Sequence, residues 1–149
     1  MNNRRVVVTG TGIVSAIGMN TIEFWKSLVE CKPGIGPYNS PFADQIRFKN
    51  GADIKHFDAS AYIQKESLDL MDRFAQFAVV AAKEAVHQSG ITFNEENAYQ
   101  TAVICGTSIG GVHAQEQSYY DLYRENKTRV HPLSIPKTMP NGAASNISM

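Results

Sequence analysis

Residues 4–12 read Arg4-Arg5-Val6-Val7-Val8-Thr9-Gly10-Thr11-Gly12, a short run of β-branched residues that ends in two glycines. An uninterrupted apolar run bounded by glycines is typical of a strand buried on both faces, as in α/β proteins. The pattern returns in Thr101-Ala102-Val103-Ile104-Cys105, which is followed by a second glycine cluster at residues 106–111. We therefore predict two buried strands, at residues 4–9 and 101–105, in an α/β fold.

Helical patterns lie between and after these strands. Apolar residues recur at three- and four-residue spacing from 20 to 31, where Asn20 or Thr21 can cap the start, and from about 69 to 88, where Gly90 supplies the stop. Five alanines in the second pattern predict close approach to another element: Ala75, Ala78, Ala81, Ala82 and Ala85.

The remaining segments are less regular. A polar helix is expected over residues 112–127, and Asn141 can cap a further helix over 142–149. Prolines and glycines in residues 33–60 predict a long loop with a short strand around 47–52. Prolines also punctuate a loop between the last two helices.

The composition argues against several classes of function. Fourteen Lys plus Arg balance fourteen Asp plus Glu, so no net charge favours binding to nucleic acid. No stretch approaches the roughly 18 apolar residues of a membrane span, and the start lacks the apolar run of a secretory signal. We expect a soluble cytoplasmic protein without a nucleic-acid or membrane partner.

Cysteine and histidine spacing gives no sign of a metal centre, a cofactor or a nucleophile. Cys31 and Cys105 form no CxxC pair, and the four histidines form no HxxxH pattern. A reactive thiolate needs a cation or a helix amino-terminus, whereas Cys31 lies at a helix carboxyl end. Cys105, at the end of an expected buried strand, is predicted to be an apolar filler. Neither residue is assigned to catalysis.

The first glycine motif allows one alternative reading. Gly10-Thr11-Gly12 stands between a strand and a helix, where a dinucleotide-binding fold places its fingerprint. The third glycine of that fingerprint is replaced by Ser15, and a loop takes the place of the second strand. A nucleotide-binding reductase therefore remains an alternative. The other explanation is that the glycines let the chain turn tightly off a strand.

Several blocks, taken together, resemble the amino-terminal part of β-ketoacyl-acyl-carrier-protein synthases of type II. They span nearly all of the chain in order. The blocks are Arg4-Arg5-Val6-Val7-Val8-Thr9-Gly10 with Gly12, Ser15 and Gly18; Trp25-Lys26-Ser27-Leu28; Gly34-Ile35; Met71-Asp72-Arg73-Phe74-Ala75-Gln76-Phe77; Ala81-Ala82 with Glu84-Ala85; Ser89-Gly90; Gly106-Thr107-Ser108-Ile109-Gly110-Gly111; and Pro132, Ile135-Pro136 and Met139-Pro140-Asn141 through Met149.

The resemblance implies a thiolase-like layered α-β-α-β-α fold, homodimer formation and condensation of malonyl-carrier protein with an acyl thioester. The family's catalytic cysteine and two histidines match no position in 1–149. Residues 1–149 are therefore expected to be a ketosynthase domain truncated before the catalytic cysteine. A non-catalytic, chain-length-factor-like partner that forms heterodimers with a related subunit is the alternative within the same fold.

The resemblance also assigns roles to a few side chains. Ile109 matches the family residue that lines the acyl pocket, and the loop around Ser134 matches one that reaches the pocket of the dimer mate. Many relatives have a bulky aromatic residue at the position of Ser134, so the usual limit on chain length is in doubt.

Docking of the acidic acyl carrier protein is expected at Lys65. Many relatives carry several basic residues in this segment, whereas this chain has Glu66, Asp69 and Leu70. A dedicated carrier protein is one explanation for the change, since charge governs partner choice. Docking through basic residues elsewhere is the other explanation.

Overall fold

The computed structural model describes residues 4–38 and 44–149. These residues form a mixed α/β arrangement in which helices predominate. The elements are α1 (Thr21–Val29), β1 (Gly36–Pro37), β2 (Asn50–Gly51), a 3-10 helix (Ala59–Ala61), α2 (Lys65–Leu68), α3 (Arg73–Ser89), α4 (Glu95–Ala98), α5 (Val112–Tyr123), α6 (Ser134–Thr138) and α7 (Gly142–Ser148).

The longest helix, α3, begins and ends at clear signals. The Asp72 side chain accepts a hydrogen bond from Phe74 N, and Gly90 ends the helix in the left-handed conformation with φ of 69°. The predicted helix began at about residue 69, but the extended backbone of Asp72 (ψ 160°) separates α2 from α3. α1 confirms the predicted cap, since Asn20 accepts from Glu23 N.

A small core forms where α3 meets α7 and the 3-10 helix. Half-buried apolar side chains from other parts of the chain pack against its buried residues. The buried members are Ala59, Ile63, Val79 and Val80, and the half-buried members are Val14, Phe57, Leu68, Met71 and Ile147. The apolar face of α3 therefore organises the packing of the described residues.

The prediction of two buried strands is wrong. Neither residues 4–9 nor residues 101–105 form a strand, and Val6 and Ile104 are 95% and 92% exposed. A β-branched run becomes a strand only beside a hydrogen-bonded neighbour. Within residues 4–38 and 44–149, the only paired strands are the short β1 and β2, so no neighbouring strand covers either run.

β1 and β2 pair antiparallel, with Gly36 opposite Gly51 and Pro37 opposite Asn50. This confirms a short strand within the predicted loop of residues 33–60, of which residues 39–43 lie outside the described residues.

α4 and α6 were not predicted. Pro136 is the third residue of α6, where the missing amide hydrogen costs no intrahelical hydrogen bond.

The last two predicted helices are present. α5 begins at Val112 as expected but ends at Tyr123, before a turn in which Asn126 has φ of 52°. α7 matches the predicted terminal helix, although the Asn141 side chain forms no capping hydrogen bond.

None of the helices described in the two ranges is long and apolar enough to cross a membrane.

Candidate functional site

The first glycine turn lies directly on α3. A Cβ atom on Gly12 would collide with the carbonyl oxygen of Ala81, and one on Gly10 would collide with that of Ala85. Only glycine permits this approach of the two backbones. The contact confirms the prediction that the small-residue face of α3 packs closely against another element.

Side chains of α3 also take up the amide groups of this turn. Thr11 N and Thr11 Oγ1 donate to Gln88 Oε1 over 2.5 and 2.9 Å, and Ile13 N donates to Glu84 Oε2 over 2.9 Å. A pyrophosphate-binding turn must instead present free amides to its ligand. The alternative reading as a nucleotide-binding reductase is therefore rejected.

Glu84 joins this turn to the start of α1. Besides Ile13 N, its carboxylate accepts hydrogen bonds from Thr21 N and Thr21 Oγ1, both over 2.7 Å. Partial burial acts to raise the pKa of Glu84, but the bonds from Thr21 and Ile13 outweigh it, so the pKa lies below its ordinary value. The charged form of Glu84 is therefore the form that the fold stabilises.

The second glycine turn, residues 106–111, presents Ile109 at the surface. Thr107 Oγ1 donates to Ile109 O over 2.6 Å, and the Ile109 side chain is 61% exposed. Gly110 has no room for a Cβ beside Thr138 O, and Gly111 N donates to that same oxygen over 3.2 Å. The turn is thus fixed to the end of α6.

Asp72 also fixes the end of this turn. Its side chain is buried, and while one carboxylate oxygen caps α3, Oδ2 accepts a hydrogen bond from Ala114 N over 2.7 Å. A Cβ on Gly111 would lie 2.9 Å from Asp72 Cβ and Cγ. One carboxylate therefore connects the amino-termini of α3 and α5.

The other two predicted site residues lie on short helices. Ser134 begins α6 and is half-buried; its hydroxyl donates to His131 O over 2.7 Å and lies 3.3 Å from Ser118 Oγ. Lys65 begins α2 and is exposed, as are Glu66 and Asp69. The structure brings the turn carrying Ile109 against the helix that begins with Ser134.

An apolar cavity of about 440 Å³ opens between the two glycine turns. α3 supplies one wall, and Ala143 of α7 closes one side. The lining residues are Gly12, Ile13, Val14, Phe74, Phe77, Ala78, Ala81, Cys105, Gly106, Thr107 and Ala143. Neither Ile109 nor Ser134 is among them.

The expectation that Cys105 is a buried filler is wrong. Cys105 is exposed and lines this cavity, because no paired strand covers residues 101–105. Cys31 is also exposed and lies after α1 with φ of 52°.

Comparison with known proteins identifies the family. The sequence model described as "Beta-ketoacyl synthase, N-terminal domain" matches residues 3–149. The chain belongs to the β-ketoacyl synthase family.

The chain also resembles one protein known by sequence and one known by structure. The chain is 34% identical over 144 residues to a 3-oxoacyl-[acyl-carrier-protein] synthase 2 from Synechocystis sp., covering 97% of this chain and 35% of the relative. A crystal structure of a β-ketoacyl synthase from Burkholderia phymatum superposes with a TM-score of 0.77 at 25% identity, covering 97% of this chain and 36% of that one.

A third comparison concerns the fold alone. The ishigamide ketosynthase/chain length factor superposes with a TM-score of 0.81 at 23% identity, over 97% of this chain and 36% of that one. The fold is therefore that of the ketosynthases, a thiolase-like α/β fold, as predicted. The chain spans about a third of the length of the curated relatives that it matches.

In this ketosynthase chain, sequence reasoning overlooked the two residues that hold the glycine turns. Asp72 and Glu84 lie in the blocks that resemble the family, but sequence reasoning assigned neither residue a role. An Asp directly before a helical pattern is a capping signal, so Asp72 could have been found as a cap of α3. Its second bond, to α5 forty-two residues later, has no signal in the sequence.

Proposed function

We propose that this chain is the amino-terminal part of a β-ketoacyl-acyl-carrier-protein synthase acting in fatty acid or polyketide biosynthesis. The match of the family model over residues 3–149 carries this proposal. It is supported by the 34% identity to a protein named 3-oxoacyl-[acyl-carrier-protein] synthase 2. The partner would be an acyl carrier protein bearing acyl and malonyl groups.

The proposed reaction is a decarboxylative Claisen condensation. An acyl group passes from the carrier-protein thioester to an active-site cysteine, which releases the carrier thiol. Malonyl-carrier protein then loses CO₂, and the resulting carbanion attacks the acyl-enzyme thioester and displaces the cysteine. We place the cysteine and two assisting histidines outside residues 1–149, so this part of the domain contributes scaffold and pocket wall.

Three residues have proposed roles in binding the partner and the acyl chain. Ile109, at the surface of the second glycine turn, would bound the acyl chain, and Ser134 at the start of α6 would reach the pocket of a dimer mate. Lys65 is exposed on α2 and would attract the acidic carrier protein. We also propose that the full-length protein is cytoplasmic and forms a homodimer.

A second candidate function is a chain-length-factor-like partner without the cysteine. The likeness to the ishigamide ketosynthase/chain length factor supports only the shared fold. The gene sequence that encodes the residues after Met149 distinguishes the two functions. A cysteine in the segment aligned with the family nucleophile favours the enzyme, and its replacement favours the partner subunit.

The proposed condensing activity can be tested with purified protein. We expect the full-length protein to convert acyl- and malonyl-carrier protein into β-ketoacyl-carrier protein with release of CO₂, measured by mass spectrometry of the carrier. Residues 1–149 alone should give no product, because the nucleophile is absent. Turnover by residues 1–149 would contradict our placement of the nucleophile, and an inactive full-length protein with an intact cysteine would contradict the enzyme proposal.

A further inference from the structure

Asp72 holds together segments that are distant in the sequence. Asp72 is buried, with 5% of the residue exposed. Oδ1 accepts a hydrogen bond from Phe74 N in the first turn of α3, over 3.2 Å, and Oδ2 accepts one from Ala114 N in the first turn of α5, over 2.7 Å. A carboxylate is favoured at both places, because the first amides of a helix have no intrahelical acceptor.

The sequence at the start of α5 is adapted to this arrangement. The residue in the capping position is Gly111, and α5 has no capping hydrogen bond from a side chain of its own capping residue. A Cβ at Gly111 would come within 2.9 Å of Asp72 and would collide with Lys137 O. Asp72 therefore occupies the space beside Gly111 and supplies the acceptor that Gly111 lacks.

Both proposed acyl-pocket residues are attached to this point. Ile109 lies two residues before Gly111, and the backbone from 106 to 111 has its end fixed between Asp72 and the last residues of α6. Ser134 is the first residue of that same α6. Movement at the amino-terminus of α5 would therefore displace Ile109 relative to α6 and to α3.

We propose that Asp72 is a positioning residue that sets the acyl-chain preference of the enzyme by holding the turn of residues 106–111 against α6. Asp72 acts through Ile109 and touches no substrate itself. The inference rests on the proposed ketosynthase function and adds to it a determinant that lies outside the pocket.

Two substitutions in the full-length protein separate the two bonds of Asp72. Asp72→Ser retains a good cap for α3, but its single, shorter side chain cannot also reach Ala114 N. Asp72→Asn retains the size of the side chain, but its one oxygen accepts for only one helix. Asn20→Ala is the matched control, because it removes the capping bond to Glu23 N of α1, a helix that does not carry the turn.

Two measurements on these variants test the proposed role of Asp72. Hydrogen exchange at residues 106–116 should accelerate by about tenfold or more in Asp72→Ser, since a bond to a charged group is lost, and should not change in Asn20→Ala. The ratio of kcat/KM for long and short acyl-carrier proteins should shift by about tenfold in Asp72→Ser, because displacement of a pocket wall alters one substrate more than another.

A loss of folded protein lowers kcat/KM for all chain lengths equally and leaves the ratio unchanged. An unchanged ratio in both Asp72 variants therefore overturns the proposal and reduces Asp72 to a helix cap. Unchanged hydrogen exchange overturns it as well. A wild-type enzyme without condensing activity contradicts the proposed function instead, and the exchange result still decides whether Asp72 holds the turn.

Discussion

Gly12 and Gly106 stand in the two glycine motifs of the sequence, but they differ in the space around them. Gly12 lies against the backbone of Ala81, whereas nothing lies within 4 Å of a Cβ built on Gly106. Neither glycine has a positive φ, so space alone separates the two positions. The first motif is a packing contact on α3, and the second begins an exposed turn.

This difference predicts that substitution by alanine affects stability differently at the two glycines. Gly12→Ala should lower the free energy of unfolding by about 1–3 kcal/mol or more, because backbone atoms of α3 would have to move. Gly106→Ala should change it by less than about 1 kcal/mol and can stabilise the protein by restricting the unfolded chain. Chemical denaturation of the full-length protein measures both, and equal losses would contradict the packing of the first turn on α3.

Ile109 is the residue at which the proposed specificity can be tested directly. Ile109→Ala in the full-length enzyme should broaden acceptance towards longer or branched acyl chains, because it removes an apolar wall. The control is Ile91→Ala after α3, which removes another exposed isoleucine side chain. The rates for a series of acyl-carrier proteins give the result, and an identical chain-length profile would reduce Ile109 to an anchor of its loop.

At the residue scale, the sequence predicted those side-chain roles that depend on residues nearby in the chain. Asn20 and Gly90 were identified as helix signals because a cap acts within one turn. Cys105 was predicted to be buried because its burial was inferred from an expected sheet. Glu84 was missed because its partners, Ile13 and Thr21, are more than sixty residues away.

α3 is the element that connects the two glycine turns. Asp72 at its start holds the second turn, and Glu84 and Gln88 near its end hold the first. Long polar side chains of α3 also hold the segment before α2, since Arg73 donates to Ile54 O and Lys83 to Tyr62 O. Polar groups of α3, as well as its apolar face, therefore determine the arrangement.

Glu84→Gln tests this role of α3. The substitution removes charge-assisted bonds and turns an amide donor towards amides of the turn, so the free energy of unfolding should fall by about 1–3 kcal/mol at pH 7. Glu116→Gln on the exposed side of α5 is the control and should change it by less than about 0.5 kcal/mol.

The pH dependence follows from the lowered pKa of Glu84. A carboxylate whose pKa is lower in the folded state stabilises the fold above its unfolded pKa, with an ordinary value of 4.5, and this stabilisation disappears as the pH falls through the folded pKa. The difference between wild type and Glu84→Gln should therefore be constant near neutral pH and narrow below about pH 4.5. A difference that widens in acid would show that the carboxylate is not held in its charged form.

At the element scale, helices were predicted better than strands for a physical reason. α1, α3, α5 and α7 satisfy their backbone hydrogen bonds within one segment, so local periodicity predicts them. The runs at residues 4–9 and 101–105 have the composition of strands but require partners elsewhere in the chain. α6 was missed because prolines at residues 132, 136 and 140 indicated a loop.

At the scale of the whole molecule, the described chain exposes more surface than a compact protein of its mass. Its accessible surface is 11836 Å² at 16.4 kDa, against about 7,500 Å² from the scaling for folded monomers. Several large apolar side chains contribute to this surface. Val6, Val8, Ile22, Phe48, Ile104 and Ile135 are all mostly exposed. Because large exposed apolar surface marks interaction sites, we propose that other parts of the protein or a partner cover these side chains.

The last prediction concerns what covers this surface. Residues 1–149, expressed alone, should bind a hydrophobic dye such as ANS strongly and form oligomers or aggregates, because Val6 and Ile104 lie on unpaired strand-like runs. The full-length protein should bind little dye and give a discrete dimer by light scattering, since the rest of the domain and a dimer mate would cover these runs. Replacing Val6 and Ile104 by Thr should reduce dye binding by residues 1–149, where both side chains are exposed. It should destabilise the full-length protein, where the proposed assembly would bury them. A monomeric, dye-free 1–149 chain would show that this surface is not an interface, and the proposed ketosynthase assembly would then lack its structural basis.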